Sequence, residues 1–183
     1  MQTPAIPACL APLVEYLNGL EARASIERVQ QLLDDTNLKL EDVREFVDFE
    51  ETNYRRNLVT TGPWYEVLVI CWRSGQRSPI HNHATSTCGL KVLEGVCSET
   101  IFSRSACGQV VARSTHELSA GHVCASQDDD THQVSNLEPL GHDLVTLHLY
   151  SPPLRAMKKF SITDSRSEDW RPPVFAFVGG DGI

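Results

Sequence analysis

Near the start of the chain, apolar residues recur at the spacing of a helix. Leu10, Leu13, Val14, Leu17 and Leu20 lie three or four places apart, which lines one face of an α-helix. Asn18-Gly19 interrupts that pattern softly. Ser25 precedes Ile26, Val29, Leu32 and Leu33, and a serine hydroxyl there can accept from a free N–H of the first turn. This predicts a second helix, capped by Ser25 and ending near Asn37. A third is predicted through Val43, Phe46 and Val47. The acidic pairs Asp34-Asp35, Glu41-Asp42 and Glu50-Glu51 read as a solvated helix face. Residues 8–50 are thus expected to be helical.

From about residue 54 the period becomes two, with glycines and β-branched residues between apolar positions. Strands are predicted at 65–72, 81–83, 87–93, 96–102, 110–115, 122–125, 133–136 and 145–150. Glu94-Gly95 sits between two of them as a tight hairpin turn. Val174, Phe175, Phe177 and Val178 read as a last strand or a segment packed on the barrel. Many short strands separated by turns predict a sandwich or closed barrel. There is no internal repeat, low-complexity tract or dividing linker. The expectation is one mainly β domain over 1–183, with a helical front at 8–50 and a β-barrel at 54–178.

Composition narrows the function classes. At 183 residues the chain can bury one good core, and 41% hydrophobic with 22% charged residues is ordinary for a globular protein. A net charge of -8 argues against nucleic acid or an anionic membrane as the main partner. No apolar run approaches membrane-spanning length. Met1-Gln2-Thr3-Pro4-Ala5 has no basic region of the secretory kind. The six cysteines form no CxxC pair, which leaves a zinc ribbon or thioredoxin-type site unsupported; with no export signal and a chain this long, free thiols in a reducing cytoplasm are expected. A monomer is expected.

Candidate chemistry begins at His81-Asn82-His83. On a strand, residues two apart face the same side, so both imidazoles can enter one interior. Two neutral nitrogen ligands on one rigid element make a good start for a transition-metal site; two surface histidines in a polar turn fit the bare pair equally well. A third histidine, His132, follows after an interval suited to several strands. Here the chain resembles the cupin superfamily. Gly75, His81, His83 and Gly95 fall on its first motif, and Gly121, His132 and Asn136 on its second. Gln127 and Asp129 replace the second motif's proline and glycine, and Cys88 replaces the glutamate of the first. Losing that glutamate leaves three neutral histidines. An ion so held keeps its full charge and open positions for an anionic sulfur ligand and dioxygen. Zinc also binds three histidines, so the donor set alone does not choose iron.

The resemblance sharpens with Tyr54-Arg55-Arg56-Asn57-Leu58-Val59, Cys71-Trp72, Ile80-His81-Asn82-His83, Cys88 with Leu90-Lys91, and His148-Leu149-Tyr150-Ser151-Pro152-Pro153. Together they look like cysteine dioxygenase. The resemblance implies iron(II) on His81, His83 and His132, with L-cysteine and dioxygen as substrates and cysteine sulfinate as product. It implies Arg56 as the carboxylate-binding residue, Tyr54 as a pocket wall, and His148 hydrogen-bonded to the Tyr150 hydroxyl. It also implies a cis Ser151–Pro152 bond and a possible Cys88–Tyr150 thioether. Met157 stands where animal members often have a cysteine. His116, His122 and His142 match no motif and read as surface or turn residues. Three alternatives remain open: a 3-mercaptopropionate dioxygenase, whose group carries glutamine in place of Arg56; a non-catalytic metal-binding cupin; and a zinc-dependent isomerase or hydrolase cupin.

Overall fold

The computed structural model describes residues 5–128 and 130–176. A 3-10 turn, Ala8–Leu10, leads into helix α1, Ala11–Asn18, and α2 follows at Ile26–Asp35. The Ser25 hydroxyl caps α2, accepting the Arg28 N–H at 3.3 Å. The third predicted helix forms instead as a 3-10 helix, Leu40–Phe46, which buries Val43 and Phe46. Asp42 takes the Lys39 N–H at 2.9 Å and closes a tight turn at its start. Among the described residues no helix is long and apolar enough to cross a membrane.

Among the described residues twelve strands follow: β1 Arg55–Gly62, β2 Tyr65–Trp72, β3 Ile80–His81, β4 Thr87–Glu94, β5 Val96–Arg104 and β6 Val110–Ser119. The others are β7 Val123–Ser126, β8 His132–Ser135, β9 Leu144–Ser151, β10 Met157–Phe160, β11 Ser167–Trp170 and β12 Phe175–Ala176. They form two six-stranded sheets in the orders β12-β1-β2-β9-β4-β7 and β11-β10-β3-β8-β5-β6. The fold is the mainly β double-stranded helix expected of a cupin. Of the predicted terminal segment, Phe175–Ala176 forms β12; Phe177 and Val178 lie outside the described residues.

The first sheet is covered on both faces, and strand parity decides which residue goes where. Val67, Val69, Cys71, Val145, Leu147 and Leu149 pack against the apolar faces of α1 and α2. Their neighbours Leu68, Ile70, Trp72, Leu144 and Tyr150 face the barrel interior. On β4 the same alternation sends Cys88, Leu90 and Val92 inward. Gly89 faces α2, where an added Cβ would lie 2.5 Å from both Leu33 Cδ1 and Val29 Cγ1. Lys91 also points to that side. Its ammonium donates to the carbonyls of Leu33 and Thr36 at 2.8 and 2.7 Å, a cation placed on the C-terminal end of α2.

The helical segment is also tied to the strands by hydrogen bonds. The Ala24 N–H donates to Ser151 Oγ at 3.0 Å, and Thr87 Oγ1 donates to the Ala24 carbonyl at 2.8 Å. Ser151 Oγ in turn donates to the Trp64 carbonyl at 2.7 Å. The Ser151–Pro152 peptide is cis.

Candidate metal centre and substrate pocket

Three histidines converge inside the barrel. His81 ends β3, His83 follows it by two residues, and His132 opens β8 directly opposite His81. One ligand atom from each lies within 4.8 Å of the other two, and all three residues are buried. The Nε2 atoms of His83 and His132 are 3.2 Å apart. Two nitrogens each about 2.1 Å from one ion sit roughly 3 Å apart, so the spacing fits a shared metal.

The other ring nitrogens explain why the Nε2 lone pairs point inward. His81 Nδ1 donates to the Pro79 carbonyl at 2.9 Å. His83 Nδ1 is bonded to Asp130, which also accepts from Ser126 Oγ at 2.9 Å. His132 Nδ1 donates to Glu99 Oε1 at 2.7 Å. An acceptor at each Nδ1 places the proton there and leaves Nε2 free to ligate. Burial, and then the neighbouring imidazoles, hold His81 well below the ordinary histidine range. Burial also lowers His83, although Asp130 opposes it. Neutral imidazoles are what a metal needs.

Sequence reasoning left a bound ion with its full charge, but the structure puts two carboxylates one imidazole away. Burial alone would raise both of them. For Glu99 the contact with His132 outweighs burial, and for Asp130 the contacts with His83 and Ser126 do, so both carboxyls fall below their ordinary values. Neither residue was singled out from the sequence. Asp130 stands two places before His132, and Glu99 lies across the β5–β8 ladder from Val134, close to the His132 register. Cys88, at the cupin glutamate position, is not in the cluster. It faces inward on β4 opposite Tyr150 of β9.

Beside the histidines lies a chain of polar groups along the inner face of β9. Thr146, His148 and Tyr150 alternate on that face, and all are buried. His148 Nε2 is 3.0 Å from Thr146 Oγ1, and His148 Nδ1 is 3.1 Å from the Tyr150 hydroxyl. The Trp72 indole N–H donates to Thr146 Oγ1 at 3.0 Å. The Ile70 carbonyl, 3.4 Å from Thr146 Oγ1, is a poorer acceptor than His148 Nε2. The threonine proton therefore goes to Nε2. His148 Nδ1–H then donates to the tyrosine oxygen, and the Tyr150 proton is left for the pocket. Burial keeps the Tyr150 phenol well above its ordinary range and His148 well below its own, so both stay neutral. Thr146 was missed from the sequence, although the period of two through His148 and Tyr150 leads back to it.

Arg56, on β1, is 3% exposed, and its Nε and Nη2 have no hydrogen-bond partner among the described residues. Its guanidinium carbon is 5.4 Å from the centre of the Tyr150 ring, and that ring is 5.6 Å from the His83 ring. Tyr150 is thus a neighbour of both the cation and the His83 ring. Tyr54 stacks on Trp72 at 4.4 Å, and burial raises its phenol to about 12. A cavity of about 380 Å³ reaches Arg56 and Tyr54 past Trp170 and Phe175. Neither that cavity nor a larger cleft of about 750 Å³, near Ile80, Phe160 and Arg166, is lined by any of the three histidines. His116, His122 and His142 are exposed.

A buried three-histidine cluster in a double-stranded β-helix defines a metal-binding cupin. Structures of similar fold include a Klebsiella pneumoniae protein with a double-stranded β-helix domain, 18% identical over 60% of this chain and 81% of that one, with a TM-score of 0.51. Another is a Thermus thermophilus protein, 15% identical over 63% of this chain and 98% of that one, also at 0.51. The model of the family "Cysteine dioxygenase type I" matches residues 1–163. Cysteine dioxygenase type 1 of Danio rerio is 33% identical over 84% of this chain and 80% of its own length. That of Bos taurus is 31% identical over 97% and 90%. The chain belongs to the cysteine dioxygenase type I family of enzymes.

Proposed function

We propose that this enzyme is an iron(II)-dependent dioxygenase that converts L-cysteine to cysteine sulfinate. The observation that carries the substrate is Arg56, a buried guanidinium with two unpartnered donor atoms beside the histidine cluster. Buried donor atoms left without acceptors are costly, and a planar fork of N–H donors fits a carboxylate. In a small thiol acid such as cysteine the sulfur would go to the histidine centre and the carboxylate to Arg56.

The three histidines would hold iron(II), which supplies the site for the thiolate and dioxygen and the redox chemistry that leaves both oxygen atoms on sulfur. Around it, this chain's residues bind and orient. Arg56 fixes the carboxylate and so the sulfur position, which is the entropic part of the work. Tyr150 directs its hydroxyl proton into the pocket, held there by His148 and Thr146. That proton can hydrogen-bond negative charge developing on oxygen. Apolar walls at Leu68, Leu90 and Met157 limit water. Cys88 and Tyr150 are the pair proposed to form a thioether during turnover, with the loss of two hydrogens to dioxygen. The protein is proposed to act as a cytoplasmic monomer, without nucleic acid or membrane partners.

The test is to load the protein with iron(II), mix it anaerobically with candidate thiols, admit dioxygen and identify products by mass. Cysteine carrying two added oxygen atoms is expected. Conversion of 3-mercaptopropionate with no conversion of cysteine would reject the substrate; conversion of no thiol would reject the reaction.

A further inference from the structure

Glu66 is a buried carboxylate that the reading above leaves without a task. It projects inward from β2 opposite Tyr150 and is 7% exposed. Its Oε1 accepts the Leu154 N–H at 3.0 Å and lies 3.6 Å from Arg56 Nη2. The second distance is too long for a hydrogen bond, so Glu66 balances the charge of Arg56 without occupying its donors. The charged and titratable groups around it are Arg56 from β1, Tyr150 from β9 and Arg155 from the segment after β9. Burial raises the Glu66 carboxyl, and Arg56 offsets this only in part.

A ligand carboxylate on Arg56 would place two anions beside one buried guanidinium. Like charges at such range cannot both persist cheaply, and the group already disfavoured as an anion is the one that protonates. We propose that Glu66 is the counter-ion that a substrate carboxylate displaces from Arg56, taking up one proton from solvent as the substrate binds. This rests on the proposed carboxylate role of Arg56. The proton comes from water or buffer and ends on a Glu66 oxygen; no other bond at Glu66 changes. Binding that consumes a proton weakens as pH rises, by up to about tenfold per pH unit between the titrations of Glu66 in the free and bound states. Only a ligand with a carboxylate triggers the uptake.

The experiment counts protons. Iron(II)-loaded protein is titrated anaerobically with cysteine at pH 7 in buffers of different ionisation enthalpy, for the parent and for Glu66→Gln. Glutamine keeps a carbonyl acceptor for the Leu154 N–H and cannot ionise. Protons lost by the cysteine thiol and ammonium are common to both proteins and cancel. The parent is expected to release about one proton fewer per cysteine bound than the variant. Equal counts overturn the inference, leaving Glu66 as a prop for Arg56. If the variant does not fold, the parent alone decides: cysteamine, which lacks the carboxylate, is expected to release about one proton more than cysteine, and equality overturns the proposal. Absence of any binding heat with cysteine would overturn the substrate reading as well, and is recognised before protons are counted.

Discussion

Cys88 and Tyr150 face each other across the β4–β9 ladder, both turned into the barrel and both buried. Gly89, the next residue, faces the opposite side of the sheet against α2. The thiol is kept protonated by burial and then by the nearby Asp130 charge, so it is not a ready nucleophile. Joining it to the tyrosine ring requires oxidation, which the proposed turnover with iron and dioxygen would supply. Peptide mapping after many turnovers is expected to find residues 88 and 150 in one species lacking two hydrogens, mixed with unlinked chains. Cys88→Gly is expected to keep partial activity and never form that species. Only separate peptides from extensively cycled enzyme would reject the crosslink.

Metal retention should depend on the carboxylates behind the ligands. His132→Ala is expected to lose activity and most bound iron. Glu99→Gln, which spares every ligand but weakens the bond at His132 Nδ1, is expected to lower metal affinity about 10- to 100-fold. Competition with a chelator of known affinity measures both, and unchanged affinity in Glu99→Gln would reject the orienting role.

On the proposed carboxylate role, Arg56→Gln would remove a charge-assisted contact worth about 1.5–3 kcal/mol. Loss of about 10- to 150-fold in kcat/KM for cysteine is expected. Cysteamine should be a poor substrate of the parent. A parent that prefers cysteamine would show that the cation serves another purpose.

Acid should weaken the metal-free protein before its surface carboxylates titrate. Burial holds His148, His81 and His83 below the ordinary histidine range. The folded state therefore keeps them neutral while the unfolded chain takes up protons below about pH 6.5. The unfolded state binds more protons, so stability falls as pH drops through that value and levels off above it. Glu66, raised by burial, acts in the opposite sense, but it is one group against three. The urea midpoint is expected to be lower at pH 5.5 than at pH 7.5, with a shallower slope in His148→Gln. A flat profile in the parent would contradict the burial argument.

Gly89→Ala tests the packing of α2 on β4. The new methyl would strike Leu33 and Val29 side chains rather than backbone, so the helix can shift. Destabilisation of about 1–3 kcal/mol is expected, read as a lower denaturant midpoint with unchanged slope. No loss would mean that α2 moves freely on the sheet.

Elements with regular apolar spacing were legible in the sequence, and those held by polar residues were not. β2 is predicted with its observed ends, and α2 with its serine cap. β1 went unrecognised because it opens on Arg55-Arg56-Asn57, and an inward arginine does not look like core. β11 is an edge strand with β10 beside it, and the two are rich in lysine, serine and acidic residues, so the period of two is weak. The histidine pair stood out because its members are two apart. Glu66, Glu99, Asp130 and Thr146 did not, because each matters through a neighbour distant in sequence. An isolated carboxylate in a strand gives no local sign of which side chain the fold will bring to it.

The seating of α1 and α2 on the first sheet has a consequence for how the chain is made. The helices are synthesised before the strands, yet the surface that covers their apolar faces comes from β2, β4 and β9, and β9 begins only at Leu144. Isolated helices of eight and ten residues are marginal in water. Until most of the chain has left the ribosome they have little to dock on. Pairing β2 with β9 also joins segments far apart in sequence, the kind of contact that folds in milliseconds to seconds rather than microseconds. Newly made chains thus pass through a period with Val29, Leu32 and Leu33 uncovered, when a chaperone that holds apolar helices has its opportunity.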